Sequence, residues 1–241
     1  MRRRPACTFA LPLLAAGALW LSTAPALAGV VCPAFDPPRV KVTPQIAPLL
    51  RDHTRTIAEL ATIPGRAPGP AGRSNGHILG LAHARYGEES QFRAMFRSLA
   101  NGDVCGAPAT LAVTFGFQER RLFVARELPR ESCIHGEVLR HEMKHIAVDE
   151  MLLKEFIPRI QQRLEAVVQR VGTVRRRTQE QAMAAIRQPI DAALKLAMQE
   201  FTRERDRRQR QVDSAEEYAR VTRSCGGELT RYLPKAGKPR M

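Results

Sequence analysis

The sequence predicts an α+β fold, and three stretches with different hydrophobic periods carry that reading. Residues 110–117 alternate Leu111, Val113, Phe115 and Phe117 with small or polar residues, the period of a half-buried strand. Residues 122–128 form a second strand-like run after Gln118-Glu119-Arg120-Arg121, so the pair reads as an antiparallel hairpin. From Ser132 the period becomes helical, with Val138, Leu139, Ile146, Val148, Leu152 and Phe156 in one broad apolar stripe. Beyond residue 159 the chain is charged and apolar only at helical intervals. The expected architecture is therefore a small antiparallel sheet, one amphipathic helix, and a long C-terminal helical hairpin.

The elements follow in order. Met1-Arg2-Arg3-Arg4 is a basic n-region, residues 9–21 are an apolar h-region, and Ala26-Leu27-Ala28 is a small-x-small cleavage pattern. Residues 1–28 thus read as a signal peptide, with the mature chain starting at Gly29 and released to a bacterial periplasm or beyond. The apolar run is short for a membrane span. Residues 29–40, with Pro33, Pro37 and Pro38, read as an irregular lead-in. Ile46, Leu49, Leu50, Ile57 and Leu60 give residues 44–63 helical spacing. Residues 64–75 are rich in Pro, Gly and Arg and read as a loop. A strand is expected over 77–82, and a helix over 88–99 from Phe92, Met95, Phe96 and Leu99. Pro129 ends the second strand of the hairpin, and Ser132 is placed to cap the following helix.

Residues 29–158 then make the α+β domain and 159–233 a helical extension. Ile160, Leu164, Val167, Val168 and Val171 continue the stripe to Gly172, where the hairpin should turn. Residues 174–223 read as one long helix, or two pieces broken near Pro189, with an apolar face running from Ala182 to Phe201. Residues 203–210 are nearly all charged and read as solvated helix. Residues 234–241 read as a disordered tail.

Cysteine and charge constrain the setting. Cys7 leaves with the signal peptide, and Cys32, Cys105, Cys133 and Cys225 remain, an even set that reads as two disulfides in an oxidising compartment. Cys105 with Cys133, across the expected hairpin, and Cys32 with Cys225, tying the ends, is the preferred of three pairings. The net charge of +14 falls by three to +11 when Arg2, Arg3 and Arg4 are removed. That balance favours an anionic envelope component as partner. The charge is dispersed and the aromatics are few, which argues against a specific nucleic-acid site. The apolar face of the C-terminal helices offers a surface for oligomerisation.

His141-Glu142-Met143-Lys144-His145 carries the chemistry. On a helix the two histidines of H-E-x-x-H lie one turn apart and can grip one Zn²⁺, and Glu142 is placed as general base for water. Neutral imidazoles leave the charge of the ion intact, so the metal can make water acidic enough to ionise near neutral pH. No G-x-S-x-G, P-loop or dinucleotide fingerprint competes. Ser132-Cys133 near His135 would suggest a thiol nucleophile, but an exported cysteine in an even set reads as bonded.

Strand, strand and an HExxH helix resemble the active-site core of the zincin metallopeptidases over residues 110–156, and the layout is similar to that of uncharacterised exported bacterial HExxH proteins. The resemblance implies His141 and His145 as metal ligands, Glu142 as catalytic base, and residues 122–128 as an edge strand that holds a peptide substrate. It departs at the third ligand. The metzincin extension would place Gly and His where Val148 and Met151 stand. Glu165 lies at a gluzincin-like distance without the intervening loop domain. Asp149 is one further turn along the helix and reads as an outer partner orienting His145. Glu137, Glu150, Glu155, His77 and His83 remain open as third ligands. The resemblance implies an exported zinc-dependent peptide hydrolase. The alternative is a non-catalytic envelope protein with a structural metal or none, binding an anionic partner through its basic helices.

Overall fold

The computed structural model describes residues 31–64 and 77–233, in the order β1 (Arg39–Ile46), β2 (Leu49–Asp52), α1 (Ile57–Leu60), β3 (Gly80–Ser98), β4 (Val104–Val124), α2 (Cys133–Val171), β5 (Val174–Arg176), α3 (Gln179–Val212), α4 (Ala215–Arg223) and a 3₁₀ segment (Ser224–Arg231). The expected signal peptide, nearly all of the Pro/Gly-rich loop and the tail lie outside these residues. β4 is the spine of a five-stranded sheet. β1 and β2 lie parallel to it in succession, β3 runs antiparallel along its length, and β5 pairs with its first residues. The α+β class stands, with a mixed sheet in place of the small antiparallel one.

One of two irregularities in the β3–β4 pairing explains how β4 packs along both halves of α2. Leu111, Val113, Phe115 and Phe117 point into the core at odd positions, whereas Leu122 and Val124 do so at even ones. Between them Gln118 has no partner, because Arg85 pairs with Glu119 and Tyr86 with Phe117. A bulge adds one residue and reverses the alternation, so both stretches pack into cores that α2 shares. Gly116 sits beside it with φ 146°, and a Cβ there would lie 2.1 Å from the Gln45 carbonyl oxygen of β1.

The expected hairpin within 110–128 is therefore one continuous strand, since residues 118–121 extend the ladder instead of turning. The actual hairpin is β3–β4, closed by Leu99 N–H donating to Asp103 O at 2.8 Å and by Gly102 with φ 85°. β3 replaces the helix expected over 88–99. The segment contains no Val, Ile or Thr, so its local preference is helical, and the 19-residue pairing with β4 overrides it. Phe92 and Ala94 still alternate with Arg93 as a strand requires. Residues 44–63 likewise split into the end of β1, β2 and the short α1, not one helix. Pro44 is tolerated because β1 is an outer strand. Its free edge is met by Gln161 of α2, which accepts from Val42 N–H at 2.7 Å and donates to Val40 O at 2.9 Å.

α2 begins at Ser132, whose hydroxyl accepts the His135 N–H, and ends at Gly172 with φ 52°. It runs unbroken through Pro158, so the boundary expected at 158/159 falls inside one helix. α3 folds back antiparallel to it, as the pairs His145–Gln209, Glu155–Arg208 and Arg163–Glu200 show. The turn near Gly172 is as expected. Of the two readings around Pro189, one helix or two pieces, the first holds there: α3 runs through Pro189 to Val212 and stops at Asp213. The apolar face of α3 packs within the chain against α2 and the sheet. Phe201 is its centre, with rings of Phe115, Phe156 and Tyr86 at 5.2, 5.3 and 5.3 Å.

The disulfides are Cys32–Cys105 and Cys133–Cys225. Both differ from the preferred pairing, because Cys105 and Cys133 do not flank one hairpin: Cys105 starts β4 and Cys133 starts α2, beyond its far end. Cys133–Cys225 ties the start of α2 to the segment after α4. No helix among the described residues is long and apolar enough to cross a membrane, and two disulfides accord with an exported chain.

Candidate metal centre

His141 and His145 project from the same side of α2, with their Nε2 atoms 3.3 Å apart. α3 returns along α2 and breaks at Asp213, whose backbone leaves the helix at ψ 39° before Ser214 caps α4. That break delivers Asp213 Oδ1 to 3.4 Å from His141 Nε2 and 3.2 Å from His145 Nε2. The three side chains form the only group of three metal-ligating residues among those described. Their nearly equilateral triangle has the dimensions of one ion's ligand set. Four ligands held tetrahedrally about 2.0–2.1 Å from zinc lie about 3.3–3.4 Å from one another. All three side chains keep 11–15% of their surface exposed, so solvent reaches the group.

A second layer fixes the rings. His145 Nδ1 meets Gln209 Oε1, and Gln209 Nε2 donates to His145 O at 3.2 Å and Asp149 Oδ1 at 2.6 Å. Arg205 grips both oxygens of Asp149 at 2.8 and 3.0 Å. Asp149 is thus an outer partner of His145 as expected, but it acts through Gln209. On the other side, Glu217 Oε1 lies 3.4 Å from His141 Nδ1 and is held by Lys144 at 2.6 Å and Arg220 at 2.8 Å. An acceptor at each Nδ1 keeps the proton there and turns the Nε2 lone pair toward the triangle.

The charges are consistent with a cation site. Burial works against a charged His145, but the hydrogen bond to Asp213 and the charge of Glu142 overcome it and raise its pKa. Burial also opposes ionised Asp213, and its contacts with His141 and His145 hold it well below the ordinary carboxylate range. Arg220 first, then Lys144 and His141, lower Glu217.

Glu142 is 5% exposed, and burial pushes its carboxyl above the usual value while the Ala82 backbone N–H donates to it. β3 approaches it closely at Gly80, where a Cβ would fall 2.6 Å from Glu142 Oε1. Tyr218, on α4, stacks edge-on against His141 with ring centroids 5.7 Å apart. Its hydroxyl donates to Asp213 Oδ1 at 3.3 Å, and burial together with the Asp213 charge raises its pKa.

The other residues considered as third ligands are engaged elsewhere. Glu137 pairs with Arg140 and Arg220, Glu150 with Arg120, Glu155 with Arg208, and Glu165 with Gln161. His77 precedes β3, His83 lies on it, and neither joins the group. Asp213 escaped the sequence reading because residues 174–223 looked like helix throughout. A signal did exist: Ser214-Ala215-Glu216-Glu217 is a capping pattern, with Ser214 accepting the Glu217 N–H, and it places a helix break at Asp213. Residues 203–210 are also more than solvated helix, since Arg205 and Gln209 serve the site.

Residues 122–124 are not an open edge. Leu122 is paired on one side with Arg51 and on the other with Ala82. Among the described residues β3 pairs with β4 alone, so the free edge beside Glu142 belongs to β3. Against known proteins, the chain matches no family model, no curated protein and no solved structure.

Proposed function

We propose that the chain is an exported zinc-dependent hydrolase that cleaves peptide bonds in the bacterial envelope. The observation that carries this reading is the His141–His145–Asp213 triangle beside a buried, unpaired-by-cation Glu142. Three protein ligands leave a fourth position open, which is the arrangement of catalytic zinc; structural zinc is usually closed by four. This favours hydrolysis over the reading of a structural metal in a basic binding protein. Two imidazoles and one carboxylate suit zinc better than the oxygen-preferring cations.

When bound, the ion would supply Lewis acidity to a carbonyl and lower the pKa of water. The chain supplies the remainder. Glu142 takes the proton of the attacking water and returns it to the leaving amine, and its raised pKa brings the proton exchange nearer neutral pH. The Tyr218 hydroxyl, on exchanging its Asp213 acceptor, would donate a hydrogen bond to the carbonyl oxygen as charge develops on it. The outer edge of β3 near residues 80–84, apart from the Ala82 N–H that is given to Glu142, offers backbone groups to an extended peptide in place of residues 122–128. The test is Glu142→Gln assayed on a peptide library. Cleavage should fall about 10²–10⁴-fold with zinc content unchanged; cleavage at the wild-type rate would refute the assignment.

A further inference from the structure

A second pair of histidines lies outside the centre just described. His53 follows β2, in a turn shaped by Asp52 Oδ1 accepting from Thr54 N–H at 2.8 Å and Thr54 Oγ1 at 2.7 Å. His135 is in the first turn of α2 and is 7% exposed. His135 Nε2 and His53 Nδ1 are 3.3 Å apart, with ring centroids at 5.1 Å and ring planes inclined by 37°. In the first centre the corresponding nitrogen and centroid separations are 3.3 and 5.0 Å.

These distances discriminate between two explanations. A direct N–H···N hydrogen bond favours a straight approach, with the hydrogen near the line between the two nitrogens. Stretched in line to the observed separation, it would place the centroids about 5.6 Å apart, because each ring nitrogen is about 1.15 Å from its centroid. Two imidazoles aimed at one ion about 2.0 Å from each nitrogen, at the tetrahedral angle, place the nitrogens about 3.3 Å and the centroids about 5.1 Å apart. The His53–His135 pair matches the second geometry in both distances.

We propose that His53 and His135 form a second metal site, distinct from the His141–His145–Asp213 centre, for a borderline-soft divalent ion such as Zn²⁺ or Cu²⁺. Imidazole nitrogen selects these ions over Mg²⁺ and Ca²⁺, which take oxygen ligands. Burial lowers the pKa of both rings, with His135 and Arg130 adding to it at His53 and Arg130 at His135, so both stay in the neutral form that binds metal. His53 is only half-buried, so water can complete the coordination. With two protein ligands in place of three, the site binds more weakly than the first. The two sites do not form a bridged pair. His135 and His141 are separated by about 9 Å of helix rise, against about 3.5–4 Å between the ions of a two-metal site.

The experiment is a calorimetric titration of metal-free mature protein with Zn²⁺ alone. Wild type should bind two ions of unequal affinity. His53→Ala, at the more exposed position, should bind one and retain the tighter affinity, and His145→Ala should lose the tighter event and retain the weaker. His135→Ala is a second variant, and if its buried position prevents folding, His53→Gln replaces it with the same expected loss. Binding of a single ion by wild type at excess Zn²⁺, or of two ions by folded His53→Ala, would overturn the proposal. The outcomes separate the two sites: a His145→Ala protein with unchanged tight binding would refute the first centre and leave this one standing.

Discussion

Gln209 Nε2 donates to Asp149 Oδ1 at 2.6 Å while its Oε1 meets His145 Nδ1. One amide thereby joins a residue two turns from the HExxH start to the imidazole that faces the metal group. Arg205 closes the chain from the same helix face as Gln209. Gln209→Leu should keep the packing of α3 and remove the acceptor that sets the His145 tautomer. Outer partners of this kind contribute about 10–100-fold to metal affinity. A competition titration against a chromophoric zinc chelator should show that loss, and unchanged affinity would deny Gln209 the role.

Asp149→Ala tests the same chain as a stability element. It leaves Arg205, 16% exposed, without its bidentate partner. Removing one partner of a mostly buried ion pair costs about 3 kcal/mol, less where solvent reaches the remaining charge. Urea unfolding should show this decrease without a change in m-value. A shift below about 0.5 kcal/mol would mean that solvent already screens Arg205.

Gly80 is where β3 lets Glu142 come close. In Gly80→Ala the new methyl would meet Glu142 Oε1, Glu142 Cγ and Val138 Cγ1, all within 2.7 Å. The carboxylate must then shift while both histidines keep their positions. Turnover of a cleaved peptide should fall at least about tenfold, since misplacement of about 1 Å can cost far more, with zinc affinity kept. Equal loss of both would place the damage in the fold of α2 rather than at Glu142.

The disulfides make a separate prediction. Peptide mapping of unreduced mature protein should recover Cys32 with Cys105 and Cys133 with Cys225. Cys133→Ser/Cys225→Ser should lose about 2–5 kcal/mol of stability. It should also weaken zinc binding, because this bond anchors the segment that follows Asp213, Glu217 and Tyr218. Recovery of a Cys105–Cys133 peptide would refute the topology around α2.

What the sequence made legible was the part encoded locally. The i, i+4 spacing of His141 and His145, the Ser132 cap and the Gly172 turn each depend on neighbours within one or two turns, and they stand in the structure. Asp213, Gln209 and Glu217 reach the site through the return of α3 along α2, which no local period encodes. The Ser214 capping pattern marked the break but not its destination. β3 was misread because its residues favour helix and only pairing with β4 makes them a strand. Pro189 leaves one helix or two open in the sequence, and the packing of α3 on both α2 and the sheet decides for the continuous helix.

The central claim is that Asp213, contributed from the far end of α3, completes the metal group begun by His141 and His145. The most direct measurement is zinc affinity by chelator competition for wild type, Asp213→Ala and Glu165→Ala. Asp213→Ala should bind at least about 100-fold more weakly, beyond the loss typical of an outer partner, and Glu165→Ala should match wild type. Wild-type affinity in Asp213→Ala, or a comparable loss in Glu165→Ala, would contradict the assignment.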